Sequence, residues 1–393
     1  MKVIKSLNGL KGMSAIIVLA GHYVMVFFRA LYLGDPSIKH FQSNIEYRLY
    51  ASPLYTLVNA SFVVHMFWII TAFLISYSWF NSDNNKGAIS RKLVSKYTKF
   101  VGPILISVLF SYAIAKLGWY FNSDIASYIP GTERYQEVYN FIPSILAAIK
   151  DAIFDTFFRQ NSTYNRVLWT MGYELYGSFL TITILHIFGD VRRRRLIYSA
   201  LVVIFFFSNP IYLCFILGVI IGDVYTKCKK KYNRAIITVC FFSGIIFGAF
   251  PPASSPVGIC GYINNVLGKL SFVTTHYYNL GAALILFAIL HSSVLDRVLS
   301  NKFFLWIGKY SLYIYLFHQP FEFSFSMFLF KKLYSVSIDY LTAAALTIVI
   351  SWLFILLIVI IVKYICEKYM FPLSSKFTNW LVDNPKTRGS HLH

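Results

Sequence analysis

The sequence is short of charge, and of acidic charge above all. Of 393 residues only 13% are charged, with 16 Asp or Glu against 36 Lys or Arg. A soluble domain carries about 25% charged residues. Cysteine is also sparse. Cys214, Cys228, Cys240, Cys260 and Cys366 form no C-x-x-C pair and have no histidine at zinc spacing. That excludes a disulfide framework and a structural zinc site, and leaves them as small apolar fillers. No G-x-x-x-x-G-K loop and no G-x-G-x-x-G loop occurs, so neither phosphate-cradling fingerprint is available. No internal repeat of the transporter kind is visible, and no metal is expected.

What the chain does have is apolar length. Hydrophobic residues make up 57% of it and aromatics 19%. Several apolar runs reach the ~20 residues needed to cross ~30 Å of hydrocarbon. The first is too long for a signal peptide, and others follow it. The fold class expected is an all-α polytopic membrane protein of about ten transmembrane helices. The predicted spans are 10–33, 57–80, 98–120, 166–188, 195–208, 210–224, 233–250, 276–293, 303–330 and 340–365. Pro210 cannot continue a helix, so a tight turn is expected at Ser208–Asn209–Pro210.

The net charge of +20 raises the question of a nucleic-acid partner. Its distribution answers against one. With Met1 inside and the sides alternating, the inside segments hold most of the Lys and Arg. They include Lys2, Lys5 and Lys11, then Lys86, Arg91, Lys92, Lys96 and Lys99, the run Arg192 to Arg195, and Lys227, Lys229, Lys230, Lys231 and Arg234. This is the positive-inside pattern, and it predicts both termini in the cytoplasm. The same runs suit contact with anionic lipid. Residues 1–370 are expected to form one transmembrane domain and 371–393 a cytoplasmic tail. The last five residues, from Gly389, have the look of an expression remnant and take no part in the argument.

Two outside segments are long, 34–56 and 121–165. The second contains "YNFIPSILAAIKDAIFDTFF", in which Ile142, Ile145, Ile149 and Ile153 recur along one stripe. This predicts an amphipathic helix on the outer leaflet or over a cavity, or a surface helix that only closes the fold. Asn161–Ser162–Thr163 fits a glycosylation acceptor pattern.

Polar groups inside apolar spans carry the functional signal. His22 lies in span one, His65 in span two, Glu174 in span four, and His318 in span nine with Glu322 one turn after it. A charged side chain at the bilayer centre costs about 2.5–3.5 kcal/mol on insertion scales, so such groups face the bundle interior and bond one another. A lone membrane histidine often does no more than bridge helices, and His65 fits that packing role. Glu322, late in an outward-running span, is expected to reach the interface.

For the others the surrounding motifs matter. "LNGLKGMSAIIVLAGHY" (Leu7 to Tyr23) resembles the opening of the membrane-bound acyltransferase-3 family, L-D-G-L-R-G, then an apolar run, then histidine at the position of His22. "VHMFWIITAFLI" (Val64 to Ile75), "KYTKFVGP" (Lys96 to Pro103), "LWTMGYEL" (Leu168 to Leu175) and "IGKYSLYIYLFHQP" (Ile307 to Pro320) resemble four further family motifs in the family's order. Trp169 and Glu174, and Ser311, Tyr315 and His318, fall in register. The departures are Asn8 for Asp, Lys11 for Arg, Thr71–Ala72 for Ser–Gly, and Lys96 and Lys99 for two arginines. The last exchange keeps the charge and loses the bidentate fork.

The resemblance implies a bacterial inner-membrane O-acyltransferase. It would move an acetyl or other short acyl group from cytoplasmic acetyl-CoA to a hydroxyl of a cell-surface glycan. The residues suit this. A hydroxyl needs a general base, and His22 can supply it or carry the acyl group covalently. Glu174 can orient an imidazole, and His318 can be the second imidazole. Spacing does not divide the work between the two histidines. Catalytic His22, Glu174 and His318 are expected to converge on one polar cavity. Lys96 and Lys99, with Arg91 and Lys92 nearby, are expected at the donor's phosphates, although all four also serve topology. The competing class is a transporter or flippase of lipid-linked sugars, which would use the same His and Glu as a proton relay.

Overall fold

A computed structural model describes residues 4–81, 88–125, 127–227 and 232–382. Lys2, Lys86, Cys228, Lys229, Lys230, Lys231 and the end of the tail lie outside the described residues. The described chain is helical from end to end and contains no strand. The main helices are α1 (Lys5–Phe27), α2 (Ala60–Phe80), α3 (Ala88–Lys116), α4 (Ile145–Lys150), α5 (Trp169–Phe188), α6 (Arg194–Ser208), α7 (Pro210–Lys227), α8 (Arg234–Gly248), α9 (Thr274–His291), α10 (Lys302–Gly308), α11 (Ser311–Phe321), α12 (Met327–Ser335), α13 (Tyr340–Ile365) and α14 (Phe371–Val382). Each expected span falls on one or more of these helices, and α6 and α7 meet at the expected turn around Asn209.

Length and hydropathy single out fewer crossings than the sequence pattern does. Among the described residues five helices are long and apolar enough, namely α1, α2, most of α3, α7 and the continuous run Tyr340–Val382. A sixth arises if Gly258–Leu270 and Thr274–His291, bent by 110°, are one span. Helices α6 and α8 have 15 residues each. At 1.5 Å per residue that is about 22 Å, short of ~30 Å of hydrocarbon. These apolar helices make the chain an integral membrane protein. Their outward faces agree with that reading, since Leu196, Val203, Phe207, Val349, Leu353 and Leu357 are exposed.

The amphipathic stretch differs from expectation in its placement. Helix α4 continues as a π-helix over Asp151–Arg159. The stripe of Ile142, Ile145, Ile149 and Ile153 faces outward, while Ala148, Ala152 and Phe157 are buried. The helix lies along α3 and antiparallel to it. At one end Tyr164, bonded to Ser144, also bonds Ser111, and at the other Tyr97 donates to the Ile153 carbonyl at 2.8 Å and packs on Phe157. Ser111 to Tyr97 is about 21 Å of helix. The segment therefore runs down the side of the bundle. The tail is likewise not loose where it is described. Its helix α14 packs on α3 through Thr378 and Ser374, both on Thr98, and through Asn379, which accepts from Arg91.

The core seam is set by glycine. A Cβ on Gly9 would run into the Leu299 carbonyl, one on Gly12 into the Phe304 carbonyl, and one on Gly308 into the Asn8 carbonyl. Helix α1 and the 299–308 stretch thus touch backbone to backbone, as small residues allow in membrane bundles. Gly21 does the same against the Val58 carbonyl and Ala60 at the start of α2. Gly12→Ala is therefore expected to destabilise the protein by about 1–3 kcal/mol. Gly268→Ala, where an added Cβ meets nothing closer than 3.8 Å, is expected to be tolerated. Thermal unfolding in detergent checks this, and equal Tm values for the two variants would contradict the packing claim.

Candidate functional site

His22 and His318 come from α1 and α11 and meet edge to face. Their ring centroids are 4.4 Å apart with an interplanar angle of 67°. His318 is fully enclosed, and its Nδ1 lies 2.7 Å from the Tyr315 carbonyl and 3.2 Å from that of Ile314. A carbonyl only accepts, so Nδ1 carries a proton, and in the neutral ring Nε2 holds a lone pair. That Nε2 has no hydrogen-bond partner among the described residues. Glu322, 1% exposed, places Oε2 at 3.7 Å from His22 Nδ1. This is ion-pair range and longer than a hydrogen bond.

Pro320 shapes this arrangement. Inside α11 it has no N–H for the Leu316 carbonyl four residues back. Asn165 fills the gap, donating from Nδ2 to that carbonyl at 2.7 Å. The helix then widens into a π-helix over Glu322–Ser326, where Ser324 donates to the Pro320 carbonyl at 2.7 Å. Such π segments recur at functional sites. Here the segment carries a buried carboxylate next to a histidine of another helix.

His22 borders one of two neighbouring cavities. The first, about 260 Å3, is lined by His22, Asn59, Arg166, Trp169, Gln319 and their neighbours. The second, about 270 Å3, is lined by Lys11, Lys96, Glu174, Thr71, Trp68 and Ser311 among others. Val64 and Tyr315 line both. The Tyr315 hydroxyl is anchored on the start of α5, 2.7 Å from Thr170 Oγ1 and donating to the Val167 carbonyl at 2.8 Å. Tyr315 and Val64 are thus a shared wall between two small chambers.

The expected site residues divide between these chambers. His22 and His318 are brought together. Glu174 is not brought to them. It lines the second cavity and accepts from Lys96 Nζ at 2.8 Å. The physical reason is charge. A buried carboxylate takes the nearest cation, and Lys96 on α3 reaches it from the neighbouring helix. Lys11, at the motif's basic position, joins them in the cavity lining. Lys99 is exposed and outside that lining, and Arg91 is exposed and bonded to Asn379 of α14.

Glu322, assigned to the interface by sequence, is instead the carboxylate beside the histidines. Its signal was available, since it is an acid one turn after His318 in an apolar run. Four residues apart on a helix, the two side chains share a face. His65 behaves as a bridging residue, with Nδ1 2.7 Å from Asn279 Oδ1, while Asn279 Nδ2 donates to the Pro210 carbonyl. These two bonds tie α2, α9 and the start of α7.

A family model described as an acyltransferase domain matches residues 4–364. No curated protein and no solved structure matches the chain. The matched region contains both histidines, both cavities and the glycine seam. The chain belongs to the membrane-bound acyltransferase-3 family.

Proposed function

We propose that this membrane acyltransferase is an O-acyltransferase that takes a short acyl group, acetyl by preference, from acyl-CoA to a hydroxyl of a cell-surface glycan. The observation that carries the reading is the His22–His318 pair with Glu322, where His22 lines one of two chambers that share a wall. A bundle of ten spans in a bacterial inner membrane, with both termini inside, puts the Lys96 chamber toward the cytoplasm and the His22 chamber toward the outside. The donor then enters from one face and the acceptor from the other.

The second chamber suits the reactive end of the donor. Its 270 Å3 takes an acyl group and part of the pantetheine arm, not a whole coenzyme. The phosphates are left to Lys99, Arg91 and Lys92 near the mouth, where a basic cluster favours them. Lys11 and Lys96 against Glu174 leave the chamber with one excess positive charge.

His22 faces the first chamber and is the base. It takes the proton of the acceptor hydroxyl as that oxygen attacks the thioester carbonyl. The C–S bond breaks, the new C–O ester bond forms, and the proton passes from His22 to the leaving thiolate. Glu322 stabilises the transient imidazolium on His22, as the acid of a triad does. His318 fixes the His22 ring by contact and holds a lone pair in reserve at Nε2.

His22→Ala is expected to lower acyl transfer by about 100- to 10,000-fold while acetyl-CoA still binds, and Glu322→Gln to lower the rate without weakening donor binding. His65→Ala is expected to be milder than either. Rates and donor Kd on purified protein check this, and near-normal transfer by His22→Ala would end the proposal. Lys96→Ala is expected to weaken acetyl-CoA binding more than Lys99→Arg does. Unchanged donor Kd in Lys96→Ala/Lys99→Ala would show that the donor binds elsewhere.

A further inference from the structure

The chamber that holds His22 is electropositive, and no acid lines it. Arg166 is in its lining, and no Asp or Glu is among the lining residues described. Tyr32, also in the lining, carries two more guanidinium groups on its ring. Arg29 lies 5.2 Å and Arg134 5.8 Å from the ring centre. Both arginines also pack on Tyr135 and donate to its single hydroxyl, Arg134 Nη2 at 3.1 Å and Arg29 Nη1 at 3.4 Å.

Among the described residues no ion pair closes the charge of this group. Arg29 is 2% exposed. Its Nη1 also donates to the Met25 carbonyl at 3.0 Å near the end of α1, and its Nε has no partner among the described residues. Capping a helix end uses part of one guanidinium and explains neither Arg134 nor Arg166. Glu133 acts on Arg29 from a distance, but among the described residues no acid forms an ion pair with either arginine. Glu133 is exposed and accepts from the Gly131 N–H at 3.1 Å. Glu322 hydrogen-bonds to no residue and stands beside His22. Two like charges converging on one phenol, one of them buried, cost stability unless a counter-charge arrives.

Resting on the acyltransferase reading above, we infer that the acceptor seated in the His22 chamber carries an anionic oxygen group, the carboxylate of an acidic sugar or a phosphate, recognised by Arg166 in the lining while Arg29 and Arg134 add positive charge from behind Tyr32. The guanidinium fork matches both anions. The remaining lining suits a sugar, with Trp169 and Tyr55 as flat faces and Asn59 and Gln319 as polar partners for hydroxyls. The positive rim also draws an anionic glycan toward the chamber.

The test uses the full-length protein in its own host. Mass spectrometry of surface and lipid-linked glycans with and without the gene identifies the glycan that gains the acyl group. The expected repeat unit contains an acidic sugar or a phosphate. That glycan is then offered to the purified protein as isolated, after chemical reduction of its carboxyl groups, and after removal of its phosphate. Loss of transfer on carboxyl reduction assigns the anion to the sugar, and loss on dephosphorylation assigns it to phosphate. The exposed Arg134→Gln/Arg166→Gln pair is expected to raise the KM for the native glycan about tenfold while acetyl-CoA binding persists. A neutral acylated glycan, or equal transfer to all three forms, overturns the inference and leaves the acyltransferase reading standing. If no glycan gains an acyl group, both fall together.

Discussion

Backbone contact between α1 and the 299–308 stretch is the constraint on which the site depends. His22 is 13 residues after Gly9 and His318 is 10 after Gly308. The glycine seam fixes the register of the two helices at one end, and their imidazoles then meet at the other. A side chain anywhere along the seam would prise the helices apart by more than a ring contact tolerates. The opening motif is therefore as much about approach as about chemistry. Its glycines bring the histidine in, and its basic residue, Lys11, points into the second chamber.

The same bundle shows how an apolar protein accommodates polar chemistry. Hydrocarbon leaves no water to satisfy a stray carbonyl, so each irregularity needs a protein partner. Pro320 frees the Leu316 carbonyl, and Asn165 takes it. Asn59 caps α2 by accepting from the Phe62 N–H and donates to the Gly248 and Phe250 carbonyls. Lys96 and Glu174 satisfy each other. Against this background the groups without partners stand out. His318 Nε2, His22 Nδ1 and both Glu322 oxygens sit together without a hydrogen bond among the described residues. Other buried polar atoms also lack a partner, Arg29 Nε and Tyr198 Oη among them, but four such atoms on three neighbouring side chains mark a place where a substrate fits.

Much of this was legible in the sequence, because it depends on local composition. Apolar runs gave the helices, the Lys and Arg distribution gave an orientation to test, and motif order pointed to the family. The histidine pair was also within reach, since polar groups in apolar spans seek one another. Two placements were not legible. Glu322, four residues after His318, shares its inward face on a plain helix, and its late position in the span hid this spacing. Glu174 goes to Lys96 because α3 and α5 are neighbours, a fact of packing. The isoleucine stripe of residues 142–153 was read correctly as one face. Composition alone does not say whether such a face meets protein or lipid, and here it points outward.

Under the proposed function, the two chambers with a shared wall would take donor and acceptor from opposite faces of the membrane domain. On that proposal the acyl group would pass beside Tyr315 and Val64, which line both chambers. The most direct measurement is acyl transfer in sealed, oriented proteoliposomes, with radiolabelled acetyl-CoA on the lysine-rich face and acceptor glycan only on the other. The account predicts label on the glycan across the membrane, and none when the donor is supplied on the acceptor's side alone. Transfer that occurs only when both substrates share one face would contradict it.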